Sequence, residues 1–199
     1  MYKGNRSRFF PLVVIIVIIA IVVFGLVSLV RLIFNSNPSQ QNTPESSGIS
    51  SKLLDTSSGQ SVSMIVRGPI VADEHFYSFE VTISPTNRTV TSWQGYDKQN
   101  VIATQSYGND TNGYTQFVNA LNYAGYTKST TADVNDTKGV CANGKVYEFM
   151  IMSGSSTTDD RWMTNCGVKG TFGGDGPAVR QLFLDQIPDA STVISQINI

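Results

Sequence analysis

Residues 9 to 34 form an almost unbroken apolar run, with no charge between Leu12 and Val30 and only Gly25 and Ser28 interrupting Leu, Ile, Val, Ala and Phe. Roughly 20 such residues, rising about 1.5 Å each, reach about 30 Å, one hydrocarbon core. The β-branched residues from Val13 to Val23 disfavour a helix in water. In lipid, however, an unpaired amide costs several kcal/mol, so the helix is the expected form. Lys3, Arg6 and Arg8 precede the run and only Arg31 stands near its far end, a bias that keeps the N-terminus cytoplasmic. The run exceeds the roughly 7–15 residues of a cleavable signal and lacks a small-x-small end. The expectation is a signal-anchor: a cytoplasmic stub at 1–8, a single-pass transmembrane helix at 9–34 holding the chain in the lipid bilayer, and an extracytoplasmic remainder at the cell membrane.

All fifteen carboxylates lie beyond residue 44, whereas Lys3, Arg6, Arg8 and Arg31 are four of the fourteen Lys and Arg. The exported part is therefore net negative, which argues against a nucleic-acid partner. Residues 35–60 are dominated by Ser, Asn, Gln, Pro, Thr and Gly, with one small apolar patch at Ile49, Leu53 and Leu54. Such a stretch cannot bury enough surface to fold by itself and is expected as a flexible linker. Residues 61–199 are long enough for one domain with a real core.

Within that domain, Tyr77, Phe79, Val81 and Ile83 alternate with Ser78, Glu80 and Thr82, the period-two signature of a half-buried strand. A Pro/Asn turn at 84–87 leads to a second hairpin arm at 88–93, and weaker strands fit 62–67 and 101–106. Tyr114, Phe117, Val118, Leu121 and Ala124 fall at helical spacing, with Asp110, Thr111 or Asn112 to cap the start and Gly125 the end. Pro177 opens a second helix through Val179, Leu182, Phe183 and Ile187, stopped by Pro188. Strands are expected at 145–152 and 161–168. The order predicts an α+β fold, an antiparallel sheet with two helices packed on one face.

Cys141 and Cys166 are the only cysteines, and both fall in the part placed outside the cytoplasm, where a disulfide is the expected state. A redox or nucleophilic thiol lacks Cys-x-x-Cys spacing or a nearby His. If Ser153–Gly154 makes a two-residue turn, the cysteines sit opposite each other in a hairpin. The polar run 155–160 favours a longer loop, with Cys141 just beyond the paired region.

The series Cys141-Ala-Asn-Gly144, Trp162-Met-Thr-Asn-Cys166, Gly170-Thr-Phe-Gly173 and Leu182-Phe-Leu-Asp-Gln-Ile-Pro188 resembles uncharacterised single-pass membrane-anchored surface proteins of Saccharibacteria (candidate phyla radiation) type, over about residues 75–189. The resemblance implies a bacterial cell-surface domain and no particular activity.

No group of residues specifies a reaction. His75, the only histidine, follows Asp73 and Glu74, but no Gly-x-Ser-x-Gly elbow partners it, and a polar turn is the expected role. Asp159–Asp160, adjacent in a polar loop, rarely serve one substrate as glycosidase carboxylates do. Asp133, Asn135 and Thr137 have calcium-loop spacing, yet Lys138 stands where glycine is required and no bidentate Glu follows. Gly167, Gly170, Gly173, Gly174 and Gly176 precede the last helix without the Lys and Ser/Thr of a P-loop, and read as a tight packing loop. Three Asn-x-Thr sequons, at Asn87, Asn109 and Asn135, arise at chance frequency. Trp93, Tyr96, Tyr107, Tyr114, Tyr123 and Tyr126 either fill the core or form a binding surface. No catalytic residue, cofactor or metal site is expected. The expected role is a non-catalytic binding module for an envelope protein or glycan; the alternatives are an envelope hydrolase using His75, or an accessory subunit of a secretion or pilus assembly.

Overall fold

A computed structural model describes residues 44–132, 136–195 and 197. Six strands, β1 (Gln60–Arg67), β2 (Tyr77–Ile83), β3 (Asn87–Gln94), β4 (Asn100–Gly108), β5 (Val146–Ser153) and β6 (Ser156–Thr164), form one sheet in the order β4-β3-β2-β1-β5-β6. Every neighbouring pair is antiparallel. The first four strands make the meander expected from their turns. The chain then leaves the sheet and returns to pair β5 with the free side of β1, so the earliest strand becomes central.

Alternation in β1, β2 and β5 sets the register. Val62 lies between Ile83 and Ile151, Met64 between Val81 and Phe149, and Val66 between Phe79 and Tyr147. These nine side chains share one face, because successive residues of a strand point to opposite sides. Four helices, α1 (Pro44–Leu54), α2 (Thr111–Tyr123), α3 (Gly176–Asp185) and α4 (Ala190–Ser195), contribute Leu53, Tyr114, Phe117, Leu121, Val179, Phe183 and Val193 to the same core. The domain is α+β, with all four helices on that side.

The ends of α2 follow the chemistry read from the sequence, whereas α3 ends at Asp185, short of the expected Ile187. The Asp110 carboxylate accepts the Gly113 amide at 2.8 Å and opens α2. At the other end Gly125 adopts φ 78°, with Gly125 N–H bonded to the Asn122 carbonyl and Tyr126 N–H to the Leu121 carbonyl, the paired bonds of a Schellman motif. Asp175 caps α3 by accepting the Ala178 amide at 3.0 Å, and Pro177 sits in its first turn.

Several stretches differ from expectation: α4 (Ala190–Ser195) is a helix beyond the two expected, and residues 165–168, expected in a strand, lie beyond the end of β6. Residues 44–54, placed in the flexible linker, form α1, with Leu53 2 % exposed and the Ser50 and Thr127 hydroxyls 2.7 Å apart. The apolar patch is too small to fold alone but docks on a core supplied by the rest of the domain. Residues 156–160, placed in a long polar loop, belong to β6: Ser153 pairs with Ser156 across a turn of two residues. As the sheet's last strand, β6 has only one neighbour and tolerates a polar sequence, while Thr157 and Thr158 are β-branched and favour extension. Met152 and Ser153 then depart from the main register by one residue, and Cys141 lies in the loop before β5, outside the paired region.

The disulfide is present. Cys141 and Cys166 are bonded with Cα atoms 5.7 Å apart, closing a separation of 25 residues. In the chain-entropy model such a loop stabilises a fold by about 3 kcal/mol. With Val146 and Trp162, Cys141 forms a small second apolar cluster away from the main core. Thr43–Ile199 is one compact unit. The stub 1–8, the span 9–34 and residues 35–43 of the expected linker lie outside the described residues. Among the described residues no helix is long and apolar enough to cross a membrane.

Leu53→Ala is expected to lower unfolding free energy by about 2–4 kcal/mol in urea titration, against under about 0.5 kcal/mol for Leu54→Ala, whose side chain is 39 % exposed. Burial pushes the Tyr114 hydroxyl, which donates to the Gln60 carbonyl at 2.9 Å, up from 10.0 to about 12. Its stabilising effect is complete below pH 10.0 and is lost as pH rises through about 12. Urea midpoints measured across that interval should fall, and should fall less for Tyr114→Phe; Tyr126, pushed up by burial first and then by the Asp159 charge, contributes to the remaining loss.

Candidate functional site

The sheet face opposite the helices is built from the alternate residues of the same strands. Three cross-strand rows define it: Trp93, Ser78, Arg67, Val146 and Thr164; Thr91, Glu80, Ile65, Glu148 and Trp162; Thr89, Thr82, Ser63, Met150 and Asp160. Glu80 and Glu148 flank Ile65 on either side, and strand spacing puts their Cα atoms roughly 10 Å apart.

Each glutamate is held. Arg67 Nη2 lies 2.6 Å from Glu148 Oε1 and donates to Thr137 Oγ1 at 2.5 Å, while the Thr137 hydroxyl is 3.1 Å from the same carboxylate oxygen. Glu80 Oε1 accepts from Ser63 Oγ at 2.5 Å and Thr82 Oγ1 at 3.2 Å, and Lys98 Nζ stands 3.9 Å from Glu80 Oε2. Lys98 Nζ also sits 4.8 Å from the Trp93 ring centroid, a cation–π contact. Arg67 Nε and the Ser78 hydroxyl are buried without a hydrogen-bond partner among the described residues, although the two residues stand directly opposite each other. Leaving a buried donor unmade costs about 1–3 kcal/mol.

Beside Arg67 the face runs into a cavity of about 240 Å³ lined by Ile70, Phe76, Tyr96, Thr137 and Val140. Its apolar wall is set by the Phe76 and Tyr96 rings, stacked with centroids 3.8 Å apart, and the Tyr96 hydroxyl donates to the Val71 carbonyl at 2.8 Å. The opposite wall is the loop preceding β5, held where Ile70 N–H bonds the Ala142 carbonyl and where Cys141 is tied to Cys166.

The residues considered for chemistry are not brought together. His75 is exposed in a single 3-10 turn, Asp73–His75. The neighbouring Asp73 carboxylate accepts the Tyr96 amide at 2.9 Å, so it anchors the β3–β4 connection and does not orient the imidazole. Asp159 and Asp160 point to opposite faces of β6. Asp159, on the helix side, pairs with the buried Arg161, whose Nε donates to Ser129 Oγ at 2.9 Å. Asp160 is on the open face. Burial pushes both carboxyls up; Arg161 opposes the rise at Asp159, whereas the Glu148 and Asp159 charges add to it at Asp160.

The glycine run is a packing device. A Cβ on Gly174 would collide with the Gly125 carbonyl oxygen, one on Gly170 with the Trp162 carbonyl oxygen, and one on Gly173 would come within 2.7 Å of the Ser129 carbonyl oxygen. Of the calcium-spaced trio, Asp133 and Asn135 lie outside the described residues and Thr137 is bonded to Arg67 and Glu148. Among the described residues no group of three or more His, Cys, Asp or Glu could hold a metal. Of the six aromatics, Tyr114 and Tyr126 are in the core, Tyr123 is 89 % exposed on α2, and Trp93 and Tyr96 belong to the open face and its cavity. Among the sequons, the Asn109 amide donates to the Ser84 carbonyl at 2.7 Å and that of Asn87 to Thr89 Oγ1 at 3.1 Å.

Arg67, Glu80, Lys98 and Glu148 escaped the sequence analysis as site residues, because they are far apart in the chain and form no motif. The one available signal was the polar half of the Tyr77–Ile83 alternation, which places Glu80 outward. No protein-family model, no curated protein and no solved structure matches this chain.

Asp160→Asn removes a charge that the fold disfavours. The urea midpoint of this variant is expected to exceed that of the parent at neutral pH, and the gain to vanish only as pH falls well below 3.8, where the parent carboxyl is protonated in both states.

Proposed function

We propose that this chain is a single-pass membrane-anchored protein, held in the bilayer through residues 9–34 with a cytoplasmic N-terminus, whose extracytoplasmic domain binds another component of a bacterial cell envelope without catalysis of its own. The observation that carries the binding surface is the sheet face that no described helix covers: its ion pairs and hydroxyls are pre-positioned by strand register, and it ends in an apolar cavity beside two buried donors without a partner among the described residues. A partner that seats an apolar group in the cavity and offers an acceptor to Arg67 Nε would relieve a cost the free domain bears. The disulfide suits an oxidising compartment, in keeping with the anchor and with the resemblance to membrane-anchored surface proteins. A protein partner is favoured over a glycan, because Lys98 already occupies a face of the Trp93 ring on which a sugar would stack. An envelope hydrolase is the weaker reading, since His75 is exposed and the Asp73 carboxylate is engaged elsewhere.

The test is affinity capture from solubilised envelope with the full, disulfide-intact chain as bait, followed by titration with the captured partner. Trp93→Ala and Ile70→Asp are each expected to weaken binding about tenfold or more, or ~1.4 kcal/mol, with Tyr123→Ala unchanged. Binding that survives both face variants but is lost on exchanging residues 9–34 for an unrelated span would move recognition to the anchor.

A further inference from the structure

The two edges of the sheet are finished differently. At β6, the segment 168–172 runs alongside: Phe172 N–H bonds the Trp162 carbonyl at 2.9 Å, Trp162 N–H reaches Thr171 Oγ1 at 3.1 Å, and Thr164 Oγ1 donates to the Val168 carbonyl at 2.7 Å. That strand also carries Asp159, Asp160 and Arg161. Charge and cover are the usual means by which a sheet edge avoids pairing with another chain.

At the other edge, among the described residues, neither is present. Among the described residues β4 pairs with β3 alone. From Asn100 to Gly108 it contains no charged residue and no proline, and Val101 and Ile102 are 53 % and 36 % exposed. The one irregularity, opposite Ser92/Trp93, leaves Ile102 out of the pairing, and from Ala103 to Gly108 the register with β3 is continuous. A regular, uncharged strand presents its outward N–H and C=O groups as a template for one more strand.

We propose that β4 is a self-association surface, pairing antiparallel with β4 of a second copy about a two-fold axis at Gln105 to join the two sheets into one. Three observations select a second copy. The strand is uncharged along its whole length, so a like strand meets no repulsion there, although the domain around it is net negative. Antiparallel addition continues the arrangement of every existing pair in the sheet. The axis at Gln105 keeps side chains of one face together, setting Thr104 against Ser106 and Ala103 against Tyr107, each contact occurring twice as an isologous interface requires. This surface does not depend on the helix-free face having a ligand.

The experiment uses the full chain in detergent, in which both native cysteines are engaged in the disulfide. Gln105→Cys is treated with a short bismaleimide, with Val168→Cys, exposed at the far edge, as the control. Cross-linked dimer is expected to be at least tenfold more abundant for Gln105→Cys, and to fall about tenfold when Thr104→Lys is added. Ser106→Lys serves in its place if Thr104→Lys fails to unfold cooperatively. Equal yields from the two cysteine variants, or a Gln105→Cys yield indifferent to the added lysine in a folded variant, would overturn the proposal.

Discussion

The domain depends on the register of β1. Its inward residues Val62, Met64 and Val66 are each packed between partners from β2 on one side and β5 on the other, and all three are 2 % exposed or less. Because strand side chains alternate with period two, a slip of one residue would carry Ser63, Ile65 and Arg67 under the helices and expel Met64. Burying an arginine without its partner there costs far more than any single contact in the sheet returns. One alternation thus selects which face the helices cover, which face stays open, and where Arg67 meets Glu148.

Closure around that strand is non-local. β5 reaches β1 only after β2, β3, β4 and α2 have been laid down, so its pairing carries the loop-closure entropy of a long connection. Several features lower the cost at the returning end. The disulfide joins the loop before β5 to the end of β6, the glycines at 170, 173 and 174 let backbone segments approach where any Cβ would collide, and Tyr126 sends its hydroxyl to the Met150 carbonyl at 2.9 Å. The same loop forms one wall of the cavity beside Arg67, so the element that secures the fold also shapes the candidate site.

Much of the scaffold is legible residue by residue. The Tyr77–Ile83 alternation, the helical spacing from Tyr114 to Leu121, the Asp110 cap and the Gly125 stop are local signals, and the structure realises each of them locally. Two of the departures share a cause. Residues 44–54 and 156–160 are polar enough to be left unstructured when judged alone, and each is ordered by a neighbour distant in the chain, α1 by Thr127 and the core, β6 by pairing with β5. The site behaves in the same way. Glu80 could be placed on an outward face from its own strand, but its relation to Ile65 and Glu148 follows only from the pairing of three strands.

By itself the sequence determined the α+β class, the positions of most strands and of two helices, and a pair of cysteines able to bond, because periodicity, capping and composition act within a few residues. Tertiary structure alone decided that β1 is central, that Arg67 and Glu148 meet, that one sheet edge is covered while the other pairs with nothing among the described residues, and that the acidic pair of β6 is split between two faces. Those outcomes depend on which strands become neighbours, and that is set by the packing of side chains that no local pattern brings together.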